Sequence, residues 1–103
     1  MAYQVVWTTG ALDDLDGIAA YIALDSSAHA AAVVSRILEC SLSVADFPLA
    51  HRPVPELGDD AVRQRIVYSY RLIYRVLQDA GRIEILAVIH GARLLPEDLR
   101  DRG

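Results

Sequence analysis

The sequence predicts an α+β domain: an N-terminal strand and an α-helical hairpin packed on one face of an antiparallel sheet, in the order β-α-α-β-β-β with a short C-terminal helix. Three observations predict it. Apolar residues recur every three to four positions from Leu12 to Ala45, and from Val62 the period falls to two. Between the two regimes lie thirteen residues, PLAHRPVPELGDD, with three Pro and one Gly, which read as a stiff loop.

Residues 3 to 8, YQVVWT, are aromatic and β-branched and form the first strand. Thr8 or Thr9 caps the first helix, Asp13 and Asp14 favour its positive end, and Leu12, Leu15, Ile18, Ala19 and Ile22 mark its buried face. Asp25, Ser26 and Ser27 break the pattern and cap a second helix, whose stripe of Ala30, Val33, Val34, Ile37, Leu38, Ser41 and Ala45 runs on until Pro48. An Ala-rich joint (Ala28, Ala30, Ala31, Ala32) permits close approach of the two helices. Strand periodicity from Val62 turns near Tyr68 and Ser69 into YRLIYRVL, which sorts Leu72, Tyr74 and Val76 to one face and Arg71, Ile73 and Arg75 to the other. After QDAGR comes IEILAVIH, apolar on nearly both sides and therefore a central strand. Pro96 opens the last short helix, PEDLRDR. With helices on one sheet face, the other face is expected to stay open.

At 103 residues the chain forms one domain spanning 1–103. The single Cys40 excludes an internal disulfide and is expected to be a buried hydrophobe. His29, His51 and His90 fall at no metal-ligand spacing, so no metal or cofactor is expected. No apolar run approaches the roughly 20 residues of a membrane span, and MAYQVVWTTG lacks a basic leader, so a cytoplasmic protein is expected. Phosphate loops, nucleophile elbows and HExxH are missing.

Charge is polarised along the chain. All 10 cations are Arg, with net charge −4; residues 1–50 hold one Arg against six acids, and residues 51–103 hold nine Arg against eight acids. Arg71 and Arg75 project on one side of their strand, and Arg63 and Arg65 of the neighbouring strand are expected to join them on the open face. Such crowding of guanidinium groups is costly without anionic partners, which points to a negatively charged ligand. At the rim, His90 and Arg93 with Arg71 would suit phosphodiester cleavage through a neighbouring 2′-hydroxyl, with Glu56 as the base. The competing reading has His90 capping a strand, Arg93 pairing Glu97 or Asp98, and Glu56 solvated.

The ordered series W-T-x-x-A-L-D-D-L-D-x-I-x-x-Y-I, R-P-V-P-E-L, Y-R-L-I-Y-R-V and I-E-I-L-A-V-I-H-G-A-R, over residues 3 to 95, resembles the RelE/ParE superfamily of bacterial type II toxins. That resemblance implies a cognate antitoxin partner, an oligomer with it, and growth arrest when it is missing. It implies two possible activities. RelE-like members cut mRNA on the ribosome, and Arg71, Glu56, His90 and Arg93 would be the catalytic residues here. ParE-like members inhibit DNA gyrase without catalysis of their own, and Arg63, Arg65, Arg71, Arg75 and Arg93 would then contact the target. No tyrosine follows Tyr74, although familiar RelE-type nucleases carry one in the tail, and a pI near 5.2 poorly suits docking among ribosomal phosphates. The ParE-like expectation is therefore favoured. A paralogue that only binds antitoxin is the third possibility.

Overall fold

Strand β1 (Gln4–Trp7) leads into helices α1 (Thr9–Ala23) and α2 (Ser27–Ser43), and strands β2 (Val62–Val67), β3 (Tyr70–Leu77) and β4 (Arg82–His90) follow. The computed structural model describes residues 3–103. Thr8 does two jobs at the first junction: its hydroxyl oxygen accepts from Ala11 N at 3.2 Å, capping α1, and the same hydroxyl donates to Ile85 O at 2.8 Å, tying the helix start to β4. Ser26 caps α2 in the same way through His29 N. Helix α2 stops at Ser43, short of Pro48, where Ser41 and Ser43 turn their hydroxyls onto the carbonyls of Leu38 and Cys40. Of the Ala-rich joint, only Ala30 is buried.

The sheet order is β1-β4-β3-β2. β2, β3 and β4 form the expected antiparallel meander, with the two-residue turn at Tyr68 and Ser69, but β1 pairs with β4 in parallel, from Gln4↔Arg82 to Trp7↔Ile85. The sheet is thus mixed, because the chain crosses over through the helical hairpin before β4 returns beside β1. β4 is interior, as its two-sided apolar sequence requires.

Helices cover one face: Ala11, Leu15, Val33 and Ile37 pack on Leu72, Tyr74, Ile83 and Ile85. The other face is not open. Val54 of the proline-rich loop and Leu99 of the C-terminal tail close over Val62, Ile73, Leu86 and Ile89 in a second cluster. A bulge opposite Ile73/Tyr74 leaves Leu86 of β4 outside the pairing, so Leu86 and Ala87 both join this cluster. The tail forms only a 3-10 turn at Leu99–Asp101 in place of the expected helix over 96–102. Its carbonyls are drawn off by Arg75, which donates to Arg100 O at 2.8 Å and Arg102 O at 3.2 Å.

Asp14 also departs from its expected part. It sits beyond the first turn of α1, and its carboxylate accepts from Val88 N at 3.1 Å and from Arg102 Nη1 at 2.9 Å, while Arg102 also donates to Leu86 O at 3.0 Å. β1 ends at Trp7, so these two side chains satisfy strand groups of β4 that have no neighbouring strand there. The guanidinium lies so close to α1 that a Cβ at Gly10 would stand 2.5 Å from Arg102 Nε. No helix among the described residues is long and apolar enough to cross a membrane.

Because Leu99 is 2% exposed in the second cluster, Leu99→Ala should lower unfolding free energy by about 2–5 kcal/mol. Urea denaturation checks this; a loss near zero would show that the tail is not core.

Candidate functional site

Antiparallel register decides where the arginines point, because cross-strand partners share a face. Arg63 pairs with Tyr74 and Arg65 with Leu72, so both lie on the helix face; Arg71 pairs with Ile66 and Arg75 with Val62, on the face closed by the loop and tail. The expected four-guanidinium cluster is therefore split, two and two, across the sheet.

Each arginine is also engaged by its own chain. Arg71 donates from Nη1 to Glu56 Oε2 at 2.7 Å and from Nη2 to Glu56 Oε1 at 2.8 Å, a two-pronged contact, and its Nε and Nη2 reach Gln64 Oε1 at 2.9 and 2.7 Å. Its side chain is 10% exposed, whereas that of Glu56 is 48% exposed. The hydrogen bond from Arg71 holds the Glu56 carboxyl below its ordinary pKa. Arg75 faces Glu84 at 3.4 Å besides the tail carbonyls. Arg63 donates to the carbonyls of Asp60, His51 and Leu49, pinning the loop, and Arg65 donates to Ser43 Oγ. Between these two cations and the helices, burial pushes the Tyr74 hydroxyl up to about 12, and that hydroxyl donates to Pro48 O at 2.7 Å. Burial, and then the charge of Arg65, push His51 down.

His90 and Arg93 lie elsewhere. His90 pairs with Tyr70 on the helix face, while Arg71 pairs with Ile89 on the opposite one. The His90 ring meets Tyr70 edge-on at 5.8 Å, and its Nδ1 accepts from Ala92 N at 3.3 Å. Arg93 is exposed, with no ion pair among the described residues: of its expected partners, Glu97 does not pair with it and Asp98 is bound to Arg102. His90 and Arg93 border a cleft of about 790 Å³ between α1 and the end of β4, with Asp13, Gly17, Tyr21 and Tyr70 among its walls. Neither Arg71 nor Glu56 lines it. The trio of His90, Arg93 and Arg71 with a Glu56 base is not gathered in one place.

Sequence reasoning missed Gln64 as a partner of Arg71 and α1 as a wall of the cleft. For the second there was a signal: Tyr21 lies off the Leu15–Ile18–Ile22 stripe, where an aromatic ring gains nothing from the core.

Residues 5–95 match the family described as ParE toxin of type II toxin-antitoxin system, parDE. No curated protein is a significant match. Solved structures share the fold. The chromosomal ParDE toxin-antitoxin system from P. aeruginosa superposes with a TM-score of 0.70 at 23% identity, covering 86% of this chain and 96% of that chain. The RelBE2 toxin-antitoxin complex from Mycobacterium tuberculosis gives 0.67 at 23% identity, covering 90% and 95%. A mutant of the E. coli toxin RelE in the free state gives 0.66 at 16% identity, covering 98% and 93%. At such identities the likeness is one of fold.

The Arg71–Glu56 contact has a pH signature. A carboxyl with a depressed folded-state pKa adds stability above its unfolded value, and that stability is lost as pH falls through the folded one. Glu56→Gln should therefore cost about 1 kcal/mol at pH 7, kept small by the half-exposed carboxylate. The gap should close as pH falls below 4.5, the ordinary value, and on through the lowered one. Urea midpoints of both proteins between pH 7 and 3 test this; a gap that persists in acid would assign the loss to shape and not to charge.

Proposed function

The chain belongs to the ParE toxin family of type II toxin-antitoxin systems, and from that membership we propose that it inhibits DNA gyrase, and so DNA replication and growth, without catalysis of its own. The observation that carries this reading is the separation of Arg71 and Glu56 from His90 and Arg93 by the thickness of the sheet. Cleavage through a 2′-hydroxyl needs a base, an anion-stabilising cation and an acid within hydrogen-bond reach of one phosphate. Here the bidentate fork of Arg71 is already filled by Glu56 and Gln64. A net charge of −4 without Lys, and a tail without Tyr, support the same direction.

In this reading the strand cleavage belongs to gyrase, and the protein supplies a surface that holds the gyrase–DNA complex in its cleaved form in the cytoplasm. Arg93 is the target-contacting cation with a free guanidinium; Arg63, Arg65, Arg71 and Arg75 shape and stiffen the surface around it. A cognate antitoxin binds and neutralises the protein, as the toxin-antitoxin assemblies among its structural neighbours suggest.

A RelE-like ribosome-dependent nuclease is the second reading, favoured by the shared position of His90 and Arg93 at the cleft rim. A non-toxic antitoxin-binding paralogue is the third, and it predicts no growth arrest on expression alone. Purified protein added to gyrase and supercoiled plasmid should accumulate cleaved, gyrase-linked DNA. Arg93→Ala should raise the concentration required by about tenfold, the worth of one charge-assisted contact. Unimpaired supercoiling, together with transcripts cut within codons on translating ribosomes, would replace this proposal with the nuclease.

A further inference from the structure

Most of the Ala-rich joint is left unused by the packing of α2 inside the domain. Ala30 is buried, but Ala28, Ala31 and Ala32 are exposed. They belong to a second stripe, in which Ala28, Ala31, Ser35, Leu38 and Leu42 follow one another in alternating steps of three and four residues, the spacing of a helix–helix seam. All five are exposed. The stripe that faces the core is made of other residues, Ala30, Val33, Ile37, Cys40 and Ser41. Leu38, which the apolar period assigns to that core, is 39% exposed, and Leu42 is 66% exposed.

The outer stripe is complementary to itself. Its small residues fill the first half and its large ones the second. When two copies of α2 are set antiparallel about a two-fold axis, Leu42 of each falls opposite Ala31 of the other and Leu38 opposite Ser35, so each large side chain enters a gap left by a small one. In the same register Glu39 lies beside Arg36 of the other copy. These two residues form an exposed pair at 3.4 Å within one chain, and the axis gives each of them a second partner of opposite sign. Charge also permits the approach: α2 carries one Arg and one Glu, whereas α1 carries three Asp and no cation, so copies meeting through α2 avoid the repulsion that α1 would bring. An unrelated partner would need only one half of this pattern. That one helix carries both halves is the argument for a second copy.

We propose that the protein self-associates through an antiparallel seam of two α2 helices, with Leu42 seated on Ala31 and Leu38 on Ser35. From Ala28 to Leu42 the seam is about 21 Å long. A single helix pair of that length stays below the roughly 1,200–2,000 Å² of a stable interface, so the dimer is weak, with a Kd on the order of tens of micromolar. None of the seam residues lines the cleft at His90 and Arg93, and the proposal holds whichever target the protein has.

Sedimentation equilibrium of the full chain from low to high micromolar concentration tests the seam, and the wild type should pass from monomer to dimer over that range. Leu42→Ala opposes two small side chains and Ala31→Leu two large ones, so each should raise the dimer Kd at least about tenfold. The double variant Ala31→Leu/Leu42→Ala exchanges the two members of the layer and should return Kd to within about threefold of wild type. Glu39→Arg leaves the apolar stripe intact, sets like charges across the axis, and should raise Kd several-fold at low salt. All these positions are exposed, so thermal unfolding at monomeric concentrations should be unchanged and separates lost association from lost folding. A chain that stays monomeric throughout would overturn the proposal, as would a dimer indifferent to the single variants or one that the exchange fails to restore. A monomeric chain that loses binding to the product of the adjacent reading frame on Leu42→Ala would overturn it too, and would assign the stripe to that partner.

Discussion

Strand β4 is buried from Ile83 to Ile89 on both of its faces, and the remaining chain is arranged to satisfy that burial. One cover is the helical hairpin. The other is assembled from pieces without a hydrophobic period of their own: Val54 and Leu57 from the proline-rich loop, and Leu95 and Leu99 from the tail. Backbone groups impose a second demand. Where β1 ends, Asp14 and Arg102 take the N–H of Val88 and the C=O of Leu86, so α1 and the tail are bonded to the same stretch of strand that they cover. A buried N–H or C=O without a partner would cost about 1–3 kcal/mol, which makes this pair of side chains part of the sheet in effect.

The arginines follow from the same arrangement. Closing the second face puts Arg71 and Arg75 under cover, where a guanidinium is tolerated only with its donors occupied. Glu56 and Gln64 occupy those of Arg71, and Glu84 with two tail carbonyls occupies those of Arg75. They act as ties between strand, loop and tail, and their charge is spent inside the molecule. Arg93 lies beyond the covered region, exposed and without an ion pair among the described residues.

This division gives the two ends of the molecule different chemistry. On the loop side of the sheet the covered Arg71 and Arg75 are paired within the chain; the α1 side is concave, with Asp13, Asp14, His90 and Arg93 among its walls. An acidic toxin whose first half holds a single cation presents the opposite sign from a protein built to sit among nucleic-acid phosphates.

Element order, the helical hairpin and the central place of β4 were legible in the sequence, because period, capping residues and two-sided apolar runs are local properties that neighbouring residues carry by themselves. The burial of Cys40 and the turn at Tyr68 and Ser69 belong with these. Everything that depends on register or on distant segments was decided by the tertiary structure. Alternation within β2 and β3 says which arginines share a strand face, but only the pairing of Val67 with Tyr70 determines that Arg63 and Arg65 oppose Arg71 and Arg75. The parallel seat of β1, the closure of the second face by Val54 and Leu99, and the placement of His90 and Glu56 on opposite sides of the sheet join residues far apart in the chain. No local pattern encodes such meetings, since they arise only when burial and hydrogen bonding are satisfied for the whole domain at once.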